Sequence, residues 1–296
     1  MRNILKRIYY SVLKLLPTKM IAYIEILRTY HKVLDLKNPV YFGEKMQWVK
    51  LFADLDKYSV YADKYAVRKF VEETIGEEYL IKLYGAYKSE EEIPFEKLPN
   101  RFVLKVNHGS GYNIICKDKE KLDVAKTKAT LHKWLKEDFA AIKGEEQYRN
   151  IPRMIVCEEY MEDESGGLLD YKYFCANGEI KMIEVCFDRF IDFKIDFYDV
   201  DWNRLPVLSG NPKHGHGNNK VPMAKPDYAD KMADVVKKLS KQFPFVRTDL
   251  YVVNGKVYFG ELTFISGSGS DPFYPLSEDK KIADWIDLDK YPKKVV

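Results

Sequence analysis

From Phe102 onward the chain is a succession of short runs rich in Val, Ile, Tyr and Phe, and two of the junctions between them are Asn-Gly. Asn177-Gly178 and Asn254-Gly255 each supply two residues that tolerate positive φ, as a tight turn between antiparallel strands demands. The runs are Phe102–Val106, Asn113–Cys116, Met154–Cys157, Tyr171–Ala176, Glu179–Phe187, Phe193–Tyr198, Phe245–Val253 and Lys256–Phe264. Helical spacing of apolar residues occupies Ala125–Phe139 and Asp227–Gln242. Residues 40–90 read as mainly helical, around Glu44–Phe52 and Lys64–Ile75, with Gly76 as a stop. Strand pairs joined by turns, with helices between them, predict an α+β fold with antiparallel sheets. A length of 296 residues suggests roughly two domains. We divide the chain into a basic helical region 1–40, a helical region 41–100, a β-rich unit 101–160 and a second β-rich unit 161–296.

Charge narrows the partners. The whole chain carries only +3, with acids and bases nearly balanced, which gives no support to a nucleic-acid partner. Residues 1–33 differ: seven Lys and Arg side chains stand against the single acid Glu25. On a helical wheel Ile4, Leu5, Ile8, Tyr9, Val12, Leu15 and Leu16 fall opposite Arg2, Lys6, Arg7 and Lys14, and Pro17 ends the segment. Such a helix either lies on an anionic membrane surface or packs on its own domain. Lys14 and the lack of a small-x-small site argue against a signal peptide. No stretch approaches the ~20 apolar residues of a membrane span. The expectation is a cytoplasmic protein with peripheral contact to the inner face of the membrane through residues 1–33. Cys116, Cys157, Cys175 and Cys186 sit in apolar runs outside any C-x-x-C pair and read as buried thiols.

Four segments carry chemistry. Val103–Cys116 places a small-residue loop, His108-Gly-Ser-Gly111, between two strands. Glycines let backbone N–H groups approach phosphate oxygens, and Lys105 on the entering strand can reach the same oxygens. A P-loop would need Gly-Lys-Ser/Thr and a following helix, and neither is present. In Ile155–Met161 an apolar strand runs into Glu158, Glu159, Tyr160 and Met161, which suits the rim of an adenine pocket or a plain exposed strand end. Asp170 and Lys172 share a strand face by alternation, fitting a ribose hydroxyl and a phosphate or a cross-strand ion pair.

The fourth is the hairpin Phe245–Thr263. A two-residue turn at Asn254-Gly255 would pair Val253 with Lys256 and point Glu261 away from Asp249. A three-residue Val253–Gly255 loop would put Arg247, Asp249, Glu261 and Thr263 on one face. Charges facing inward on apolar strands are costly unless they bind something. Two carboxylates and a hydroxyl suit Mg²⁺ that also holds nucleotide phosphates. We therefore expect the three-residue loop. The long segment Ser209–Pro226 reads as a lid or acceptor-binding loop. His214-Gly-His216 is a poor metal site in such a loop. Asp199-Val-Asp201 has the Asp-x-Asp form used by some nucleotide-sugar glycosyltransferases.

The order of these motifs resembles the ATP-grasp superfamily, and the chain is similar to its TupA-like branch, associated with teichuronopeptide and capsular polysaccharide biosynthesis. The resemblance runs from Tyr41 to Leu276. It passes through Phe42-Gly-Glu-Lys-Met-Gln-Trp48, Asp63-Lys-Tyr-Ala-Val-Arg68, Phe102–Gly111, Asp170-Tyr-Lys-Tyr-Phe-Cys175 and Tyr258-Phe-Gly-Glu-Leu-Thr263. It implies an ATP-grasp fold, two β-rich subdomains clamping ATP, with MgATP as the cofactor. Lys105 and Lys64 would contact phosphates, and His108, Gly109, Ser110 and Gly111 would cover them. Glu158 through Met161 would hold adenine, and Asp170 the ribose. Asp249 and Glu261 would bind Mg²⁺. Thr263 stands where such ligases usually carry Asn, and is a weaker, neutral ligand. Arg247 would steady an acylphosphate. The Rossmann-like N-terminal domain of such ligases is not evident.

The implied reaction joins a uronic acid carboxylate of a surface saccharide, or of its lipid-linked precursor, to an amine such as an amino acid. A sugar kinase on the same fold and a glycosyltransferase using Asp199 and Asp201 are the alternatives.

Overall fold

The computed structural model describes residues 16–163, 168–187, 193–210 and 216–294. The basic segment 1–15 and His214 lie outside them. Two antiparallel sheets organise these residues. The first has four strands in the order β1-β4-β2-β3, made of β1 (Leu83–Tyr87), β2 (Phe102–Val106), β3 (Asn113–Cys116) and β4 (Ile155–Glu159). Strand β1 falls inside the segment expected to be mainly helical. Its Leu-Tyr-Gly-Ala-Tyr composition gave no clear alternation, and pairing with β4 makes it a strand. Alternation in β2 buries Phe102, Leu104 and Val106 against Leu131, Ile155 and Cys157, which leaves Lys105 on the opposite face.

The second sheet has five strands in the order β10-β9-β5-β6-β7. These are β5 (Leu169–Ala176), β6 (Glu179–Phe187), β7 (Lys194–Tyr198), β9 (Phe245–Val253) and β10 (Lys256–Thr263), with a two-stranded ribbon of β8 (Leu208–Ser209) and β11 (Phe273–Tyr274) beside it. Helix α3 (Ala229–Ser240) buries Met232, Val235, Val236 and Leu239, an i, i+3, i+4 stripe, in the same core cluster as these strands. That cluster also contains Phe42 and Met46 of α2 (Phe42–Phe52), and the Phe42 ring lies 5.1 Å from that of Phe273. All four cysteines are free and buried. Among the described residues no helix is long and apolar enough to cross a membrane.

Helix α1 (Thr18–Tyr30) is fastened at its C-terminal end. The Tyr30 hydroxyl donates to Asp279 at 3.0 Å and accepts from the Gly43 N–H at 2.8 Å. Asp279 also accepts from the backbone N–H of Phe42 and Phe273. One buried carboxylate thus ties the region around residues 273–279 to Tyr30 and Phe42, more than two hundred residues away in sequence.

Register decides which residues share a face, and both Asn-Gly hairpins reach it in the same way. Asn254 and Gly255 have φ of 50° and 74°, and Val253 pairs with Lys256. The turn therefore has two residues, not the expected three. The carboxylates nevertheless face the same side, because Gly260 is inserted as a bulge: Phe259 opposes Leu250, and then Glu261 opposes Asp249 and Thr263 opposes Arg247. In the β5–β6 hairpin Ala176 opposes Glu179, and the insertion of Lys181 then sets Lys172 opposite Glu184. Only glycine fits at the first bulge, since a Cβ on residue 260 would lie 2.9 Å from the Asp249 carbonyl oxygen. Gly260→Ala is expected to destabilise the chain by about 1–3 kcal/mol through overpacking. An unchanged urea midpoint would show that the bulge tolerates a side chain.

Candidate active site

The face set by these registers carries a charged row across four strands: Glu184 on β6, Lys172 on β5, Asp249 on β9 and Glu261 on β10. One step along it lie Cys186, Asp170 and Tyr251, and on the other side Arg247 and Thr263. A cavity of about 500 Å³ opens over this row, and its walls include Lys105 and Glu158 of the first sheet.

Asp249 is the hinge of the network. Both of its oxygens accept from Arg247 at 2.7 Å, and Lys172 Nζ donates to it at 2.9 Å. Lys172 also binds Asp170. Burial alone would push the Asp249 carboxyl up, but Arg247 and Lys172 outweigh it and hold it below the usual range. Lys172 shows the converse balance: burial lowers it, and Asp249 and Asp170 raise it further. Glu184 has no such direct contact, and burial raises its carboxyl despite Lys172 and Arg247. Glu261 is more open, with 33% of its side chain exposed. Its Oε1 accepts from Thr263 at 3.2 Å and from Arg247 at 3.4 Å.

The opposite wall has its own triad. Glu158 accepts from Lys105 Nζ at 2.6 Å and from Arg68 Nη1 at 3.2 Å, and Arg68 Nη2 donates to the Ile81 carbonyl. The glycine loop is pinned by the Asp63–Lys64 pair. Lys64 Nζ donates to the Gly109 carbonyl at 2.5 Å, and Asp63 accepts from Asn107 Nδ2 at 2.8 Å. Burial lowers the Lys64 ammonium, partly offset by Glu261.

The expected residues divide on this geometry. Lys64, Lys105, Ser110, Gly111, Glu158, Asp170, Lys172, Arg247, Asp249 and Glu261 line the large cavity. Thr263 lines an adjoining one. His108 instead points into the protein, with Nε2 3.2 Å from the Glu137 carbonyl and a pKa lowered by burial. Of Glu158–Met161, only Glu158 borders the cavity, and the Tyr160 ring packs under Arg101 with centroid 4.4 Å away.

Asp199 caps a local turn by accepting from Asp201 N and Asn203 N, so the Asp-x-Asp pair lies in a surface turn. The described part of Ser209–Pro226 is tied to β7: Asn219 N donates to Asp196 and Met223 N to Tyr198. His216 packs on the Phe193 ring at the cavity wall.

Sequence reasoning gave no role to Arg68 or Glu184. Glu184 is a charge in an apolar strand, the same signal that marked Asp249, but its facing depended on the Lys181 insertion.

Two carboxylates and a hydroxyl, Asp249, Glu261 and Thr263, form a donor set that suits Mg²⁺ shared with phosphates, since this ion keeps water and phosphate ligands rather than filling an all-protein cage. Among the described residues no group of three or more His, Cys, Asp or Glu could hold a metal ion.

Comparison with known proteins now bears on this geometry. D-alanine–D-alanine ligase from Bacillus anthracis superposes with a TM-score of 0.50 at 16% identity, covering 79% of this chain and 69% of that one. The same enzyme complexed with ATP gives 0.49 at 14%, covering 79% and 67%. N5-carboxyaminoimidazole synthetase from Staphylococcus aureus gives 0.37 at 11%, covering 69% and 44%. At such identities the first likeness speaks for the fold alone, and the other two carry no further argument. No curated protein matches the chain. A family model described as TupA-like ATPgrasp matches residues 44–287, which include both sheets and the cavity between them. The chain therefore has the ATP-grasp fold and belongs to the TupA-like ATP-grasp family.

Proposed function

We propose that the chain is an ATP-dependent carboxylate–amine ligase that releases ADP. The observation that carries this is the convergence of Lys64, Lys105, Lys172, Arg247, Asp249 and Glu261 on one cavity large enough for a nucleotide. Lys105 and Lys64 hold phosphate oxygens, and Asp170 serves the ribose. Asp249 and Glu261, with Thr263, hold Mg²⁺, which when bound neutralises charge on the phosphate oxygens.

In the first step a substrate carboxylate oxygen attacks the γ-phosphorus and the bond to ADP breaks. Lys105 and Arg247 stabilise the charge that spreads over the transferring group. In the second, an amine attacks the acyl carbon, the amide C–N bond forms, and phosphate leaves with release of a proton from nitrogen. In this reading Arg247 holds the acylphosphate.

The acceptor we propose is a uronic acid of a surface saccharide or its lipid-linked precursor. Support for a membrane setting comes from the outward face of α1. Met20, Tyr23 and Leu27 are exposed there with the cation Lys19, an apolar stripe that suits an anionic lipid surface. Cytoplasmic placement is part of the same proposal.

MgATP should raise the melting temperature by mass action, and Lys105→Ala should reduce that shift. No shift with any divalent ion would count strongly against the nucleotide assignment. Glu261→Gln tests chemistry better than Asp249→Asn. Removing charge from buried Asp249 strands Arg247 and Lys172, at a cost of about 3–5 kcal/mol. Glu261→Gln should lower amine-dependent ADP release by about a hundredfold or more, equivalent to ~2.7 kcal/mol of barrier, with the melting temperature nearly unchanged. ADP release that needs a sugar hydroxyl and no amine would instead indicate a kinase. Salt-sensitive pelleting with anionic vesicles should weaken in Met20→Ser/Leu27→Ser, and equal pelleting would remove the membrane assignment.

A further inference from the structure

Next to the large cavity lies a smaller one of about 290 Å³. Their common wall includes Arg247, Glu261 and Gly267. Tyr148 borders the smaller cavity alone. It ends a turn, Glu146–Tyr148, between the short helix Phe139–Lys143 and β4.

The ring and the hydroxyl of Tyr148 have different surroundings. The ring is core: it meets the Phe139 ring edge-on at 5.2 Å, and the residue is only 8% exposed. Phenylalanine would serve that packing equally well. The hydroxyl has no hydrogen-bond partner among the described residues. Tyr173 and Tyr291 also carry unbonded hydroxyls, but theirs are sealed inside the protein, whereas Tyr148 opens on a cavity. A buried donor left without an acceptor is costly, and a ligand oxygen would remove that cost.

The position of Tyr148 is fixed relative to the sheet that carries the charged row. Its backbone N–H donates to the Glu145 carbonyl at 3.1 Å. The buried Glu145 carboxylate accepts from the Ser268 hydroxyl at 2.7 Å and from Gln147 Nε2 at 3.1 Å. Ser268 lies just beyond β10, the strand of Glu261 and Thr263. Charge then decides what the hydroxyl can do. Burial, with Glu145 and Glu261, holds the phenol well above its usual range despite Arg247. It stays protonated, so it can donate a hydrogen bond but cannot act as a base.

Arg247 supplies a second donor. A guanidinium has five N–H groups. Nε and one Nη2 hydrogen go to Asp249, the other Nη2 hydrogen lies between Thr263 and Glu261, and one Nη1 hydrogen goes to Ser266. One Nη1 hydrogen is left over. Two unused donors, one neutral and one charged, therefore border the same cavity. They suit an oxygen that carries negative charge.

We propose that Tyr148 is a catalytic hydrogen-bond donor that, with Arg247, binds an oxygen of the substrate's acyl group in the smaller cavity. The inference rests on the ligase reading. The oxygen is bound first in the carboxylate. When the amine nitrogen bonds to the acyl carbon, the C=O electron pair moves onto this oxygen. The pair returns as the bond to phosphate breaks, and the leaving phosphate takes the proton from nitrogen. A donor aimed at the oxygen on which charge grows acts mainly on turnover.

The test uses the full chain with MgATP and with hydroxylamine as the amine, which turns an acylphosphate into a hydroxamate. Glucuronate and galacturonate are the carboxylates. Tyr148→Phe removes only the hydroxyl. It should lower kcat for hydroxamate formation about a hundredfold, as loss of an oxyanion donor does. KM for ATP should stay within about twofold, and the melting temperature should not fall, because no partner is stranded. Tyr173→Phe removes an unbonded hydroxyl from the face of β5 opposite Lys172 and should turn over like the parent. The inference alone is overturned if hydroxamate forms and Tyr148→Phe matches the parent, if both variants lose rate equally, or if KM for ATP rises in place of the loss in kcat. A protein that shows the MgATP shift yet forms no hydroxamate with either uronate sinks the ligase reading, and this inference with it.

Discussion

Asp249 accepting simultaneously from Arg247 and Lys172 is the interaction on which the rest of the site depends. Burying this many charges in the middle of a sheet is expensive, and a buried ion pair is weak evidence of stability because desolvation opposes it. Each member is tolerable only because its neighbours are in register. A slip of one residue would send Asp249 to the opposite face and leave Arg247 and Lys172 without it. The two bulges are therefore structural conditions for the site. Lys181 shifts β6 so that Glu184 meets Lys172, and Gly260 shifts β10 so that Glu261 meets Asp249.

That dependence explains what was legible in the sequence. Antiparallel strands around Asn-Gly turns, the helices that cover them and the residue types at the site can all be read from alternation and turn chemistry, because these are local. The shared face of Asp249 and Glu261 was expected for the wrong local reason. Sequence reasoning had one extra residue to place and put it in the turn, whereas the chain puts it five residues later at Gly260. The choice is made by packing: the close approach of residue 260 to the Asp249 carbonyl selects glycine there, while Asn254 and Gly255 already satisfy a two-residue turn. Glu184 was illegible for the same reason, since its facing follows from Lys181. His108 and Tyr160 show the opposite failure. They lie inside stretches that read as ligand-binding, but their own side chains turn to Glu137 and Arg101.

The first sheet solves a milder version of the same problem. Glu158 holds Lys105 and Arg68 together at the cavity edge, so two cations that would repel one another are kept close, side chains ordered, where phosphates are expected. Lys64 is ordered differently, by the carbonyl of the very loop it would share a phosphate with. Loop position and lysine position are thereby linked, which couples the Asp63-Lys64 turn to the glycine loop more than forty residues away in sequence.

The helix α1 shows how one amphipathic segment can serve several surfaces at once. It lies within the basic stretch 1–33 read as a membrane device, yet Ala22, Ile26 and Tyr30 form a core with Leu34, and Tyr30 is bolted to Asp279. A second side of the same helix supplies Ile21, Glu25 and Arg28 to the smaller cavity. A third side carries the exposed apolar residues Met20, Tyr23 and Leu27. With about 100° between successive residues, 13 residues suffice to present three such faces without conflict. A lipid surface engaging the outer side would then sit one helix diameter, about 10 Å, from the inner wall of the smaller cavity. In the proposed membrane setting, helix α1 would thus set the distance between the lipid surface and that cavity.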